Sequence, residues 1–487
     1  MITKNTPILS QLESQFLPAS LQNWIQSLAS KTQDGETVFQ SLHSKTDDDI
    51  LIQPIYTQQS QTNSEAMDIP FLQENAWKTL TTMPSDLNEW IARTETPSSA
   101  SMNAWYVPLE ETVYSSAFDT TSEKPLTTCL QHCINNGKTL VTSPLSSIEY
   151  KNEVEPNLEQ LSTTSQYLLF DPFHAATYTE QIPPSIETFL QPFIEWNQLL
   201  QTTKTFTTGV NTSVISLGGA TSAQEIGYAV SAMVEYLRFA DAKGLYAEGL
   251  LPKMVCTLSI STNFFEEVAK LRAIRIVWDS VLSHLGIEES KRALEIHTVG
   301  AVKNYTKKDP FTNVLRIASQ TMAGIVGNAT SILIPHFDIV HSIDPTPFSQ
   351  KIAQQMHHIF AFESGINNSI DPAKGSYYLE DLTFKLAEKG LDYFKKIENN
   401  GGLYSSLADG SFQNDVKDAK QRTLREYAEQ SKKIVGTSYS PSETTYPQDA
   451  LWDTTHSTKE HPTIHSLQDG FQSISSFNRT RNSESFE

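Results

Sequence analysis

The chain has 487 residues, of which 38% are hydrophobic, and a formal net charge of −20. This length exceeds one ordinary core but accommodates a barrel of about 250 residues with flanking segments. The acidic excess argues against nucleic acid as a partner, because phosphate binding needs clustered lysine and arginine. The sequence has only three cysteines, so we expect no disulfide framework and a reducing compartment.

The ends and the composition of the chain predict a cytoplasmic protein. The N-terminus has no basic region followed by an apolar one, and no apolar run reaches the length of a membrane span. Cys129 and Cys133 lie four residues apart with His132 between them. A metal site would need further ligands, which the surrounding sequence does not offer, so two thiols on one helix face are the favoured interpretation.

Residues 1–100 are predicted to form an N-terminal extension and linker. An amphipathic helix is expected over residues 9–28, followed by a Pro-containing extended piece that ends near residue 57. Residues 57–70 are polar and predict a loop. The segment 71–100 is mixed in character, and Trp77 and Trp90 are its expected packing anchors.

Residues 101–400 alternate between strand and helix patterns. Short runs of apolar or β-branched residues predict strands at 103–110, 138–144, 166–172, 204–218, 254–261, 294–300 and 329–335. Helical periodicity predicts helices at 221–244, 263–285, 310–326, 348–363 and within 371–402. Repeated units of this kind, joined by short turns, predict a parallel sheet, and their number favours a closed (β/α)8 TIM barrel.

Local signals mark the ends of two of these helices. Thr221 followed by Gln224 predicts a capping box, and Gly244 predicts a helix stop. Asp309 followed by Pro310 predicts an N-cap with proline in the first turn. The charged residues of the 263–285 helix are predicted to lie on its surface, facing solvent or a partner subunit: Glu266, Glu267, Lys270 and Arg272.

Residues 401–487 are predicted to form a C-terminal helix and an irregular tail. A charged helix is expected around residues 413–433. After about residue 437 the composition shifts towards Ser, Thr, Pro and Asn, which is typical of irregular or partly disordered segments.

Several blocks of the sequence resemble the methylmalonyl-CoA mutase family, in the order in which that family carries them. The blocks are ILIQPIYT (50–57), GGATSAQEIGYAVSAMVEYLR (218–238), NFFEEVAKLRAIRIVW (263–278), KNYTKKDPFTNVLR (303–316), FESGINNSIDPAKGSYYLEDLTFKLAEK (362–389) and NNGG (399–402). The resemblance implies a barrel whose axis is threaded by the pantetheine arm of coenzyme A. It also implies a separate C-terminal domain that binds cobalamin through the histidine of a D-x-H-x-x-G motif.

The cobalamin motif and the pocket of catalytic family members are both missing. None of the twelve histidines has an aspartate two residues before it, and the chain ends at Glu487. By resemblance, catalytic members carry a Tyr-His pair before the "AGAT" turn, where this chain has NTSVISL at 211–217 with Val214 at the histidine position. Thr330 stands where the family has a pocket glutamine, and Leu333 where it has a histidine. Valine and leucine can neither donate a hydrogen bond nor move a proton.

We therefore predict no catalytic, cofactor-binding or metal-binding residue on this chain, but a vestigial acyl-CoA pocket. Lys303, Lys307 and Lys308 follow a barrel strand at the face where TIM-barrel active sites lie, so they could hold phosphates of coenzyme A or belong to a solvated loop. His297 is either a satisfied core histidine or a pocket residue. The candidate pocket residues are Val214, Ser216, His297, Lys303, Asn304, Tyr305, Thr330 and Leu333.

These departures resemble the small, non-catalytic subunit of heterodimeric mutases, in which IPHFD (334–338) replaces a polar strand end. The resemblance implies a large catalytic partner subunit that carries adenosylcobalamin and interconverts methylmalonyl-CoA and succinyl-CoA. Two alternatives stay open. The first is an active barrel chain of the isobutyryl-CoA type with a separate cobalamin subunit, and the second is a chaperone or binding module without enzymatic activity.

Overall fold

The computed structural model describes residues 20–29, 33–57, 69–71, 77–81, 87–94, 104–107, 125–143, 145, 150–341, 345–441, 472–477, 479 and 481–484. Eight strands form one parallel sheet in which the strands follow each other in chain order. They are β1 Lys78–Thr81, β2 Ala104–Val107, β3 Thr139–Thr142, β4 Tyr167–Phe170, β5 Phe206–Asn211, β6 Met254–Ile260, β7 Glu295–Gly300 and β8 Ser331–Ile334. Strand β8 pairs with β1, and β1 and β2 approach within 8 Å at Cα, so the sheet curves into a barrel.

Helices surround the barrel and complete the (β/α)8 fold that the sequence predicts. In chain order they are α1 Leu21–Ser27, α2 Gly35–Ser41, α3 Leu87–Thr94, α4 Pro125–Asn135, α5 Lys151–Val154, α6 Leu158–Thr163, α7 Pro172–Thr179, α8 Ile186–Leu199, α9 Ser213–Leu217, α10 Ser222–Ala242, α11 Ala247–Leu250, α12 Phe264–His284, α13 Thr312–Val326, α14 Pro347–Phe362, α15 Tyr377–Asn399, α16 Leu403–Ala408 and α17 Ser411–Ala428. In the part of the chain that is described, none of them combines the length and apolar character needed to cross a membrane.

The N-terminal region contributes more to the barrel than the sequence predicts. Its segment 77–81 contains β1, the first barrel strand, and Trp77 and Trp90 are both buried as expected. Of the helix predicted over residues 9–28, α1 forms the end, and residues 9–19 lie outside the described residues, as does 58–68 of the predicted loop.

Two predicted element boundaries are wrong for local reasons. The run 204–218 is a strand only as far as Asn211, whose side-chain carbonyl accepts a hydrogen bond from the Ser213 amide at 2.8 Å and turns the chain into α9. Helix α13 begins at Thr312, two residues later than predicted, although the Asp309 side chain accepts from the Thr312 amide at 3.3 Å, which is the contact expected of the predicted N-cap. The capping box at Thr221 is confirmed.

Helix α15 covers the outer faces of α10 and α12. The approach to α10 is close, because a Cβ placed on Gly390 would lie 2.5 Å from Cγ2 of Ile226. As a result α12 is enclosed by the barrel on one side and by helices on the others. The prediction that Glu266, Glu267, Lys270 and Arg272 lie on the surface is therefore wrong: all four are buried, Lys270 with 1% and Arg272 with 0% of its surface exposed.

Candidate functional site

Three polar side chains form a hydrogen-bonded group that crosses the barrel interior at its N-terminal end. Nζ of Lys78 on β1 donates to the Tyr167 hydroxyl on β4 at 2.9 Å, and this hydroxyl donates to Oε1 of Glu295 on β7 at 2.8 Å. None of these three strands neighbours another in the sheet, so their side chains can meet only inside the barrel. The three residues therefore span the barrel at the level where the strands begin.

His297 lies beside this group and is packed into the interior. Its ring centroid is 4.8 Å from that of Tyr167, and β-pairing places it level with Thr257 and Ser331. Burial, followed by the charge of Lys78, lowers the pKa of His297 to about 3. Its Nε2 has no hydrogen-bond partner among the described residues. It is thus a neutral core histidine, but one whose hydrogen bonding is incomplete.

Aliphatic side chains fill the next level of the barrel. Leu333 on β8 pairs in register with Leu80 on β1 and with Val299 on β7. Leu80 and Leu333 are each 2% exposed and Val299 is 5% exposed, and all three belong to one apolar cluster with Tyr106 and Leu169. The position that the resemblance assigns to a pocket histidine is therefore occupied by a buried leucine in a packed interior.

The remaining candidate pocket residues lie in different parts of the barrel. Val214 on α9 is fully buried in the main apolar core, and Ser216 hydrogen-bonds towards Glu225. Thr330 precedes β8 at the opposite, N-terminal end, where its hydroxyl accepts from the Ile296 amide at 3.0 Å. The Tyr305 hydroxyl donates to Oε1 of Gln320 at 2.8 Å, which ties its loop to α13.

A polar cavity of about 190 Å³ lies at the C-terminal face of the barrel, and only Lys303 and Asn304 of the predicted pocket line it. Its walls come from the N-termini of α10 and α12, the loop after β7 and helix α17. The charged residues of its lining include Glu225, Glu266, Glu267, Lys303 and Lys420. The other two lysines of the loop, Lys307 and Lys308, are exposed and do not line this cavity.

A buried ion-pair cluster supports the floor of this cavity. Nζ of Lys270 lies 2.7 Å from Oε2 of Glu267 and 3.4 Å from Oε2 of Glu225, and it donates to the Ser259 carbonyl at 2.6 Å. Burial raises the pKa of the Glu225 carboxyl, whereas for Glu267 the charges of Lys270 and Lys303 outweigh burial and lower the pKa. The cluster joins α12 to α10 and β6, so it stabilises the C-terminal face of the barrel around the cavity.

A second polar cluster that sequence reasoning missed lies at the C-terminal ends of β4 and β5. The Asp171 carboxylate accepts from the Tyr236 hydroxyl at 2.7 Å, the Asn211 amide at 2.7 Å and the His174 amide at 3.0 Å. Burial raises the pKa of Asp171 to about 7 and lowers that of His174 to about 4. The sequence signal was available, because Asp171 lies at the C-terminal end of a predicted strand and His174 follows that strand. Three donors on one carboxylate indicate that this group holds the strand ends together.

The cysteines lie on a helix face, as favoured above. Cys129 and Cys133 are both buried on α4, and burial raises the pKa of both thiols. Among the residues that the structure describes, no group of three or more histidine, cysteine, aspartate or glutamate side chains has a geometry that could hold a metal ion.

Comparison with known proteins gives a family match over most of the barrel. The family model described as methylmalonyl-CoA mutase matches residues 125–473. The methylmalonyl-CoA mutase of Rhizobium meliloti is 32% identical over 234 residues, which are 48% of this chain and 33% of that protein. The methylmalonyl-CoA mutase large subunits of Streptomyces virginiae and Propionibacterium freudenreichii subsp. shermanii are 33% and 32% identical over 43% and 42% of this chain. In both cases the match covers 28% of the relative, so the chain spans a third or less of these curated relatives.

Proposed function

Because the chain belongs to the methylmalonyl-CoA mutase family, we propose that it is a non-catalytic, small subunit of an adenosylcobalamin-dependent mutase. In this proposal a large catalytic subunit carries the cofactor and interconverts methylmalonyl-CoA and succinyl-CoA. This chain supplies a barrel that stabilises the assembly without chemistry of its own.

The filled interior of the barrel is the observation that carries the proposal. A thioester substrate that enters along the axis needs an open channel between the two ends of the barrel. Here the Lys78–Tyr167–Glu295 group crosses one end. Above it, Leu80 and Leu333 occupy the space inside the strands. Opening a channel would expose these side chains and break the hydrogen bonds of the crossing group, and both changes cost free energy.

The chemistry of the pocket positions supports the same reading. A radical reaction needs polar contacts that fix the substrate and a cavity that excludes water. Val214 packs into the apolar core, and Thr330 uses its hydroxyl to bridge to the neighbouring strand. His297 is held neutral by burial, so it is a poor proton donor. None of these groups is placed to polarise a thioester carbonyl.

The residues of this chain do not fit cobalamin by the family's mode of binding. None of its histidines has the Asp-x-His spacing of the lower ligand. The imidazoles of His174 and His297 are buried. We therefore assign adenosylcobalamin to the partner. That two matched relatives bear the name "large subunit" supports an assembly of unlike subunits in this family.

Purification of the chain alone and together with its partner tests the proposal. The chain is expressed with an affinity tag in its host, and whatever co-purifies in fixed ratio is identified. We expect a large mutase subunit at one copy per chain. Isothermal titration of the isolated chain with methylmalonyl-CoA should give no saturable heat. The isolated chain should also lack mutase turnover and a cobalamin absorption spectrum, and mixing with the partner should supply both.

Two outcomes would contradict this reading in different ways. Turnover by the chain with a stand-alone cobalamin protein would favour an active barrel of the isobutyryl-CoA type. A transient, nucleotide-dependent partner in place of a permanent one would favour a chaperone or binding module. Saturable binding of methylmalonyl-CoA to the isolated chain would by itself refute the filled-barrel argument.

A further inference from the structure

The described residues of segment 472–484, which are 472–477, 479 and 481–484, lie along the C-terminal face of the barrel. Gln472–Ser473 pairs antiparallel with Gln181–Ile182, which follows α7. The Ile474 amide then donates to the Glu180 carbonyl at 3.0 Å, and the Ser476 hydroxyl donates to Oε1 of Glu180 at 2.6 Å. This end of the segment is therefore anchored beyond the end of strand β4.

The middle of the segment is anchored by Phe477 and Arg479. Phe477 is buried against the turn before α10, where a Cβ placed on Gly218 would lie 3.2 Å from its Cβ. Arg479 donates to the Tyr178 carbonyl at 3.3 Å, stacks its guanidinium 5.2 Å from the Tyr178 ring centroid and lies 3.7 Å from Oε1 of Glu180. The absence of a side chain at Gly218 thus makes room for the phenylalanine.

The far end of the segment is anchored on the loop after β7. The Asn482 amide donates to the Lys303 carbonyl at 2.7 Å, and its side chain donates to Oδ1 of Asn304 at 2.9 Å. Arg481 and Ser483 both donate to the Tyr305 carbonyl, at 2.7 and 2.6 Å. Asn482 and Ser483 are themselves buried.

The anchors after β4, before α10 and after β7 all lie at the C-terminal ends of barrel strands, where TIM barrels open to their substrates. We propose that this mouth is a peptide-binding surface and that its occupant is the chain's own segment 472–484. The surface recognises an extended peptide with an aromatic anchor, arginines two and four residues later, and an Asn-Ser pair. Its complementary groups are the Glu180 carboxylate, the space above Gly218 and the carbonyls of the 303–305 loop.

The segment is held mainly by individual hydrogen bonds, and its Arg479 lies over the Tyr178 ring. Among its described residues, only Ile474 and Phe477 bury apolar side chains, while most other attachments are hydrogen bonds, each of which contributes little net stability in water. Beneath Arg479, the Tyr178 ring stacks on His174, whose Nε2 has no hydrogen-bond partner among the described residues. Release of the segment removes Arg479 from the Tyr178 ring, so we expect greater solvent access to the His174 imidazole behind that ring and no change at the core histidine His297.

The test uses the full chain and the double variant F477A/R481A. Hydrogen–deuterium exchange is followed by mass spectrometry, and we expect slow exchange over 472–484 in the wild type and fast exchange in the variant. Diethyl pyrocarbonate should modify His174 about tenfold faster or more in the variant, since the label reports local opening. The rate at His297 should not change, and Tyr246→Ala, at a 73% exposed aromatic residue, is the matched control.

Binding in trans provides the second readout. A fluorescein-labelled synthetic peptide of residues 472–487 should bind the full-length double variant saturably and should not bind the wild type, whose surface is occupied. A scrambled peptide should bind neither. If the double variant does not fold, as modification of His297 would reveal, Gly218→Ala takes its place, because its added Cβ presses on Phe477 from the barrel side.

Two results would overturn the proposal. One is exchange of 472–484 at the rate of an unstructured peptide in the wild type. The other is a variant with a released segment that shows neither faster modification of His174 nor peptide binding. These measurements need no partner subunit and no turnover, so their outcome is independent of the proposed function.

Discussion

The buried ion-pair cluster around Lys270 allows a direct test of the structure, because removal of the Lys270 ammonium should destabilise the fold. In the variant K270M the ammonium is replaced by an apolar group of similar length. The carboxylates of Glu225 and Glu267, which are buried and lie 3.4 and 2.7 Å from Nζ, lose their countercharge. The Ser259 carbonyl loses its donor at 2.6 Å as well.

The expected loss is large for a single substitution. Removing one partner of a buried ion pair typically costs ~3–5 kcal/mol, because the remaining charge stays desolvated. We expect a loss in this range near neutral pH, measured from urea unfolding followed by circular dichroism. The loss should shrink as the pH falls to about 5, because the orphaned carboxyls can then take up protons in the folded state.

Two companion variants separate the charge effect from loss of packing. Lys395→Met removes a lysine whose side chain is 59% exposed, and it should change stability by no more than ~0.5 kcal/mol. The triple variant E225Q/K270M/E267Q removes all three charges and should recover at least half of the loss, since neutral replacements of buried ion clusters are often tolerated. A loss below ~1 kcal/mol for K270M, or one that does not depend on pH, would refute the assignment of a buried cluster.

Two further predictions concern buried carboxyls and helix packing. Burial raises the pKa of Asp171 and of Glu266 to about 7, so each carboxyl favours the folded state when protonated, and the free energy of unfolding should fall as the pH rises from about 5 to 8. Urea midpoints at both pH values measure this, Glu266→Gln should flatten the profile, and a rise in stability with pH would contradict it. Gly390→Ala should cost ~1–3 kcal/mol because its Cβ would meet Ile226 at 2.5 Å, whereas Gly249→Ala, which enters open space, should be near neutral in the same unfolding assay. Equal stability of the two alanine variants would refute the close contact of α10 and α15.

The barrel strands could be predicted where apolar residues predominate. Met254–Ile260 is buried at every position, as expected for a parallel strand covered on both sides, and its apolar run is visible in the sequence. Strand β1 could not be found in this way, because Lys78–Thr81 has a single aliphatic residue, Leu80. Its lysine is accommodated only because Tyr167 and Glu295 meet it across the barrel, which depends on tertiary structure.

The same dependence explains the error in helix α12. Its sequence has charges between apolar positions and therefore predicts an exposed face. Arg272 is nevertheless buried, because Glu380 at 2.9 Å and Asp371 at 3.4 Å come from a segment about a hundred residues later in the chain. Hydrophobic periodicity is a property of one helix, so it does not show that side chains of a distant segment such as α15 pair with the charges of α12.

The sequence shows at which positions the candidate pocket differs from catalytic family members, but it does not show whether those residues lie together in one site. Lys303 and Asn304 reach the polar cavity, whereas Val214 and Leu333 are core residues and Thr330 lies at the opposite end of the barrel. A sequence resemblance assigns positions along the chain, but it does not show how deep each side chain lies inside the barrel. In this protein, that depth distinguishes residues that could contact a ligand from residues that fill the barrel interior.

Under the proposed function, the replacement of polar pocket residues and the filling of the barrel interior are physically one change. Protein interiors are close-packed, so a channel that no longer holds a ligand is unstable unless side chains occupy it. Leu80 and Leu333 meet in register and leave little exposed surface, and the Lys78–Tyr167–Glu295 group forms hydrogen bonds across the N-terminal end of the barrel. Restoring a histidine at position 333 alone would therefore place an imidazole among aliphatic side chains, with no channel to bring a thioester to it. Under the proposed function, packing keeps this barrel inactive, and a gain of catalysis would require several neighbouring positions to change together.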